Sequence, residues 1–98
     1  MRERIMKARK IQRERYKNAP FHYNAGLYGS WLENYCKLDG KCHALMQGAL
    51  TRLALSARAY TRILRVARTI ADLAGEETLA PAHLAEAIGL RVLDRNVI

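Results

Sequence analysis

Apolar residues recur at three- and four-residue intervals along most of the chain, and no stretch shows the period-two alternation of a strand. The segment from Arg2 to about Lys17 has no Gly or Pro, consists largely of good helix formers, and sets Ile5, Ala8 and Ile11 at helical spacing. That stripe is thin. Isolated helices of about 12 to 15 residues are barely stable in water, so this one needs a partner surface. From Asn18 to Ser30 the periodicity gives way to Asn, Pro and Gly interspersed with Phe21, Tyr23, Leu27 and Tyr28. This pattern predicts an ordered loop whose aromatics pack on the core. Ser30 is expected to cap a short helix through Trp31, Leu32 and Tyr35.

Asp39 reads as the cap of a stronger helix, in which Cys42, Leu45, Met46, Ala49, Leu50 and Leu53 form an apolar face. Gly48 inside it costs about 1 kcal/mol against Ala, tolerable where another helix approaches closely. Ser56 is the next cap. It opens the most regular helix, which carries Tyr60, Ile63, Leu64, Ala67, Ile70, Ala71 and Ala74 on one face and stops at Gly75. After Glu76 and Glu77, Pro81 suits the first position of a last helix, with Leu84, Ala85, Ile88 and Val92 inward and Leu93 to Arg95 as its exit. The expected fold is all-α: a small bundle of four or five helices in a single domain spanning 1–98, with a basic helix at 1–17, a loop at 18–30 and a helical core at 31–98.

At 98 residues the chain has room for one domain, too little for a nucleotide-binding α/β core and a second module together. No apolar run approaches the roughly 18 residues of a membrane span, and no hydrophobic signal core follows the basic start, which predicts a soluble cytoplasmic protein without membrane contact. Cys36 and Cys42 are too few for a disulfide framework and match no zinc or redox spacing; His43 adjoins Cys42, but His22 and His83 stand apart, so no metal site is expected. Motifs of nucleophilic or zinc-dependent hydrolysis are missing.

The formal charge is +8, and most of it lies in residues 1–17, where eight Lys or Arg face only Glu3 and Glu14. Between Asp39 and Asp72 there is no acid, while Lys41, Arg52, Arg58, Arg62, Arg65 and Arg68 accumulate, which predicts anions supplied from outside the segment. Arg58 lies two positions after the Ser56 cap, where the helix dipole opposes a cation by about 0.3 to 1 kcal/mol. Arg62, Arg65 and Arg68 follow at spacings that add like-charge repulsion of a few tenths each. A bound phosphate would offset these costs, because a guanidinium donates paired hydrogen bonds and a helix start adds amide donors. Solvated arginines with their stems on apolar surface account for the pattern equally well. Arg58 is the strongest phosphate candidate by position; Arg62 and Arg65 share its face, and Arg68 is rotated toward the side.

The stretch LSARAYTRILRVARTIADLAG at 55–75, followed by PAHLAEAI and LRVLDRN, closely resembles the C-terminal domain of magnesium-chelatase-like AAA+ ATPases of the ComM/YifB branch. The segments RERIMKARKIQRERYKNA and LENYCKLDGKCHALMQGAL fit the same domain more loosely, so nearly the whole chain is covered. The resemblance implies a helical lid closing on ATP and magnesium held by an α/β core. Arg58 then matches the sensor-2 arginine that reaches the γ-phosphate, a catalytic role in the intact ATPase. It further implies a ring-forming homo-oligomer, a hexamer, acting on DNA. No tetrapyrrole site accompanies it. A phosphate loop is absent, since Gly40-Lys41 is followed by Cys42 without the earlier Gly, and the acidic metal-binding strand is absent too. The chain would therefore not hydrolyse ATP unaided and would be the end of a longer polypeptide.

Two other readings remain. One is an autonomous nucleic-acid-binding module in which Arg2, Arg4, Lys7, Arg9, Lys10 and Arg13 grip phosphates, although no base-stacking aromatic interleaves them before Tyr16. The other is a docking bundle whose arginine face meets protein carboxylates.

Overall fold

The computed structural model describes the backbone of residues 2–97 and the side chains of residues 2–90. Five α-helices follow one another among the described residues: α1 (Arg2–Arg15), α2 (Gly29–Tyr35), α3 (Gly40–Leu53), α4 (Ala57–Leu73) and α5 (Pro81–Val97), with a 3₁₀ turn at Asn24–Gly26 between the first two. No strand occurs among them, in agreement with the all-α expectation.

Local signals set most of the boundaries. The Asp39 carboxylate accepts from the Cys42 amide at 2.8 Å, and the Ser56 hydroxyl accepts from the Ala59 amide at 3.1 Å. At the end of α4, Gly75 has φ 75°, its N–H donates to Asp72 O at 3.1 Å, and the Glu76 N–H donates to Ala71 O at 2.8 Å. This is a Schellman ending. α3 ends instead on Ala54 in the left-handed region, at φ 48°. Pro81 opens α5, and the Ala80 N–H preceding it donates to His83 Nδ1 at 2.9 Å. This hydrogen bond fixes the ring with Nδ1 as acceptor.

Several expectations are corrected. Ser30 is no cap: the chain arrives extended at Tyr28, Gly29 takes φ 53°, and the helix has begun before Ser30, with no side-chain cap. The 18–30 segment is ordered as expected and contains the 3₁₀ turn, with Phe21 and Leu27 on the core, but Tyr23 and Tyr28 are exposed rather than packed. In α1, Ile5 and Ile11 are exposed; the side buried against the bundle is Ala8, Gln12 and Tyr16. Ala74 and Ala85 are exposed, while Ala87 and His83 are buried in α5. A Cβ added at Gly48 would meet nothing within 4 Å, so no other helix approaches it closely. The helix α5 continues through Leu93 to Arg95, expected as its exit, and the inward placement of Val92 falls outside the described side chains.

α4 is the central element, in contact with α5, α1, α2 and the 3₁₀ turn, while α3 packs on α5. Its buried Ile63, Leu64, Ala67 and Ala71 meet Tyr16, Leu27, Met46 and Leu84 in one core. Phe21 closes one end, with ring centroids 4.9 Å from Tyr16 and 5.7 Å from Trp31. A Cβ on Gly26 would lie 2.6 Å from Phe21 Cβ, so the turn requires glycine there. No helix among the described residues is long and apolar enough to cross a membrane.

Candidate functional site

The Ser56 cap starts α4 at the bundle surface and leaves its first turn open. Arg58 and Arg62 are exposed there, and neither side chain makes a hydrogen bond or ion pair among the described residues. With Thr61 and Arg65 they line an open depression of about 550 Å³, and none of its lining among the described residues is acidic. Arg65 is half-buried and tethered, its Nε donating to Leu27 O at 2.8 Å. The three phosphate candidates thus share one concavity, in which positive charge is not neutralised by the described chain.

Arg68 differs. It is buried, with Nη1 donating to Glu77 O at 2.8 Å and Nη2 to Glu76 O at 2.7 Å and lying 3.1 Å from Asp72 Oδ1; only Nε lacks a partner. Arg68 thus lies off the face of Arg58, Arg62 and Arg65, where its spacing puts it, and is enclosed by the fold. Backbone carbonyls of the loop after α4 and one carboxylate satisfy it, and its role is to hold that loop.

Asp72 is the centre of a buried polar network that the sequence patterns did not disclose. Arg15 forks onto it, with Nη2 2.7 Å from Oδ1 and Nη1 3.1 Å from Oδ2. Asn24 Nδ2 donates to Asp72 Oδ2 at 2.9 Å and to Thr69 Oγ1 at 3.1 Å, Asn24 Oδ1 accepts from the Tyr16 hydroxyl, and the Asn24 amide donates to Gln12 Oε1 at 3.0 Å. Burial alone would lower the Arg15 pKa, but the hydrogen bond to Asp72, helped by Tyr16, outweighs it and raises the guanidinium above its ordinary value. The available signal was Asp72 itself, the first acid after Asp39 and four residues beyond Arg68.

Cys36 and Cys42 are buried thiols that donate to Leu64 O and Leu79 O, each at 3.7 Å. Burial pushes Cys36 up to about 11, only partly offset by Arg68 and Arg15. No group of His, Cys, Asp or Glu able to hold a metal occurs among the described residues, and His43 is exposed. Along α1, Arg2, Arg4, Lys7, Arg9, Lys10 and Arg13 are all exposed and, among the described residues, unpaired. They do not converge: Arg4 and Lys7 border one shallow depression, and Arg9 borders a cleft of about 420 Å³ on another side of the helix.

Comparison with known proteins decides the family, because the family model described as magnesium chelatase, subunit ChlI C-terminal, matches residues 1–91. The chain belongs to this family. The ChlI-type C-terminal domain formed by this chain is 46% identical over 95 residues to competence protein ComM of Haemophilus influenzae and 37% identical over 98 residues to YifB of Escherichia coli. YifB of Salmonella typhimurium is 36% identical over 98 residues. These alignments cover 97% of this chain for ComM and 100% for both YifB proteins, but only 18% and 19% of the relatives' own lengths. The domain therefore corresponds to less than a fifth of each relative. No solved structure matches it significantly. The ComM/YifB resemblance read from residues 55–75 agrees with these matches, and the arginine depression lies within the same stretch.

Proposed function

We propose that this ChlI-type domain is the helical lid of an AAA+ ATPase whose α/β core belongs to the same polypeptide, and that Arg58 reaches the terminal phosphate of ATP bound between them. The carrying observation is an exposed Arg58 in the first turn of α4, without a partner among the described residues, beside Arg62 and Arg65 in a depression whose described lining holds no acid. A guanidinium so placed meets a transferring phosphoryl group with paired donors, and the first-turn amides reinforce it. Loss of the terminal phosphate on hydrolysis removes that attraction, and the lid can then move. Magnesium and the phosphate loop belong to the core, since this chain supplies neither. The intact protein is read as a cytoplasmic, ring-forming hexamer. That its relatives are more than five times longer than this domain supports a lid within a larger machine.

The test is Arg58→Ala in the full-length protein. Removing one transition-state donor of this kind costs on the order of 10²-fold in kcat. Because Arg58 is exposed and unpaired, the melting temperature should not move. Wild-type turnover in that variant would remove the assignment.

The exposure of all six candidate cations on α1 favours a second role, contact with the phosphates of DNA. If all six engaged, the logarithm of affinity would fall against that of salt with a slope of about −5. Charge reversal at Arg9 and Arg13 should flatten it, and no binding at low salt would dismiss the role.

A further inference from the structure

We infer that Arg65 is a fixed ligand for the part of the polyphosphate that ADP and ATP share, positioned by the 3₁₀ turn at 24–27, while Arg58 is the mobile group that reads the terminal phosphate; this rests on the lid assignment above. The turn holds the Arg65 side chain directly and is itself anchored on α4 one helical turn further on. Leu27 O accepts from Arg65 Nε at 2.8 Å, and Leu27 is fully buried, so the acceptor is itself fixed. In the same turn, where Leu27 N–H donates to Asn24 O at 3.0 Å, the Asn24 Nδ2 donates to Thr69 Oγ1 at 3.1 Å. The Thr69 hydroxyl in turn donates to Arg65 O at 3.1 Å. The turn that holds the Arg65 side chain is thus fastened to the same helix through Asn24 and Thr69.

A guanidinium carries five N–H donors, and the tether uses the one on Nε. Those on Nη1 and Nη2 have no partner among the described residues, and the residue lines the depression shared with Arg58 and Arg62. An arginine already ordered by its own fold loses little rotamer freedom when an anion binds, so it contributes affinity. Arg58 has no tether among the described residues and is ordered by its ligand. Seven residues separate the two, two helical turns or about 10 Å at 1.5 Å per residue. Side chains that leave the helix at points so far apart address different parts of an extended polyphosphate rather than one oxygen.

The experiment compares ADP and ATP binding, and ATP turnover, in full-length protein carrying Arg58→Ala, Arg65→Lys or Thr69→Val. Arg65→Lys keeps the charge but loses the fork, and should weaken ADP and ATP by the same factor, about tenfold for a charged hydrogen bond, with kcat retained at saturation. Thr69→Val leaves Arg65 in place but removes the acceptor that anchors Asn24 of the turn, and should weaken both nucleotides in the same ratio by a smaller factor. It also carries the test should Arg65→Lys not fold. Arg58→Ala should lower turnover and abolish the preference for ATP over ADP while ADP affinity stays at the wild-type value. Unchanged ADP affinity in both Arg65→Lys and Thr69→Val, with Arg58→Ala impaired, overturns the fixed-ligand role alone. Lost ADP affinity in Arg65→Lys with none in Thr69→Val overturns the positioning by the turn. Wild-type behaviour of Arg58→Ala overturns the lid assignment itself.

Discussion

Asp72→Asn is the sharpest probe of what holds this bundle together. The Asp72 side chain is 1% exposed, and its two guanidinium partners, Arg15 and Arg68, are 14% and 4% exposed. Asparagine has nearly the same shape, so no cavity opens; what changes is the charge and the conversion of one acceptor into a donor. Oδ2 accepts from both Arg15 Nη1 and Asn24 Nδ2, and an amide nitrogen there would face two donors. Removing one member of a buried ion pair typically costs about 3 to 5 kcal/mol, against about 0 to 1 kcal/mol for an exposed pair. Arg68 keeps its loop carbonyls and Arg15 has some access to water, which puts the expected loss at the lower end, about 3 kcal/mol.

A chain of this length has a total stability of about 5 to 15 kcal/mol, so the loss is a large fraction of it. At about 4 to 8 °C per kcal/mol, the melting temperature should fall by on the order of 15 °C. Urea denaturation followed by helical circular dichroism measures it directly, with an unchanged m-value showing that only stability has moved. A loss below about 1 kcal/mol would mean that the network behaves like a surface pair and does not fasten α1 to α4.

Backbone conformation gives two expectations of opposite sign. Gly75→Ala, at φ 75° with open space around it, should destabilise by about 1 to 2 kcal/mol, and Ala54→Gly, at φ 48°, should stabilise by a fraction of that, both read as urea midpoints. Gly48→Ala, in a helix with open space at its Cβ, should stabilise by about 0.5 to 1 kcal/mol in the same assay. Cys36, raised from 9.0 to about 11, binds its proton more tightly folded than unfolded, so its contribution is complete below about pH 9 and is lost as pH rises toward 11. Disulfide-exchange labelling at pH 8 should follow global unfolding; rapid modification of the native protein would contradict the burial.

What could be read from the sequence was local. Asp39, Ser56, Gly75 and Pro81 each satisfy or terminate backbone hydrogen bonds within a few residues, and each sits where its chemistry placed it. The misreadings of α1 and of Arg68 have a common cause in polar contacts made across the fold. Isoleucine spacing points to one side of α1, but the helix docks through Ala8, Gln12, Arg15 and Tyr16, and counting apolar positions gives Gln12 and Arg15 no weight. Arg68 looks surplus in the sequence because its partners are mainly carbonyl oxygens, which every residue carries and no sequence pattern marks. Arg58 falls where position alone puts it, exposed behind its cap, because nothing in the described fold competes for it.

The four arginines of α4 therefore form a gradient along one helix. Among the described residues, Arg58 and Arg62 are without partners at the amino end, Arg65 is held by a single tether, and Arg68 is enclosed by carbonyls and Asp72. The gradient follows from where anions and carbonyls are available: the carboxyl end of α4 lies under Arg15, Asn24 and the loop at Glu76 and Glu77, while at its amino end the described residues offer the arginines no acceptor. Identical side chains at helical spacing thus acquire different mobilities without any change in chemistry. In a lid, that order is useful in one direction only. A rigid end transmits the position of the helix to the bundle, and a free end responds to whether a phosphate is present. Were the order reversed, with the carboxyl end loose and Arg58 enclosed, a ligand at the depression would reorder side chains without any force reaching the rest of the domain.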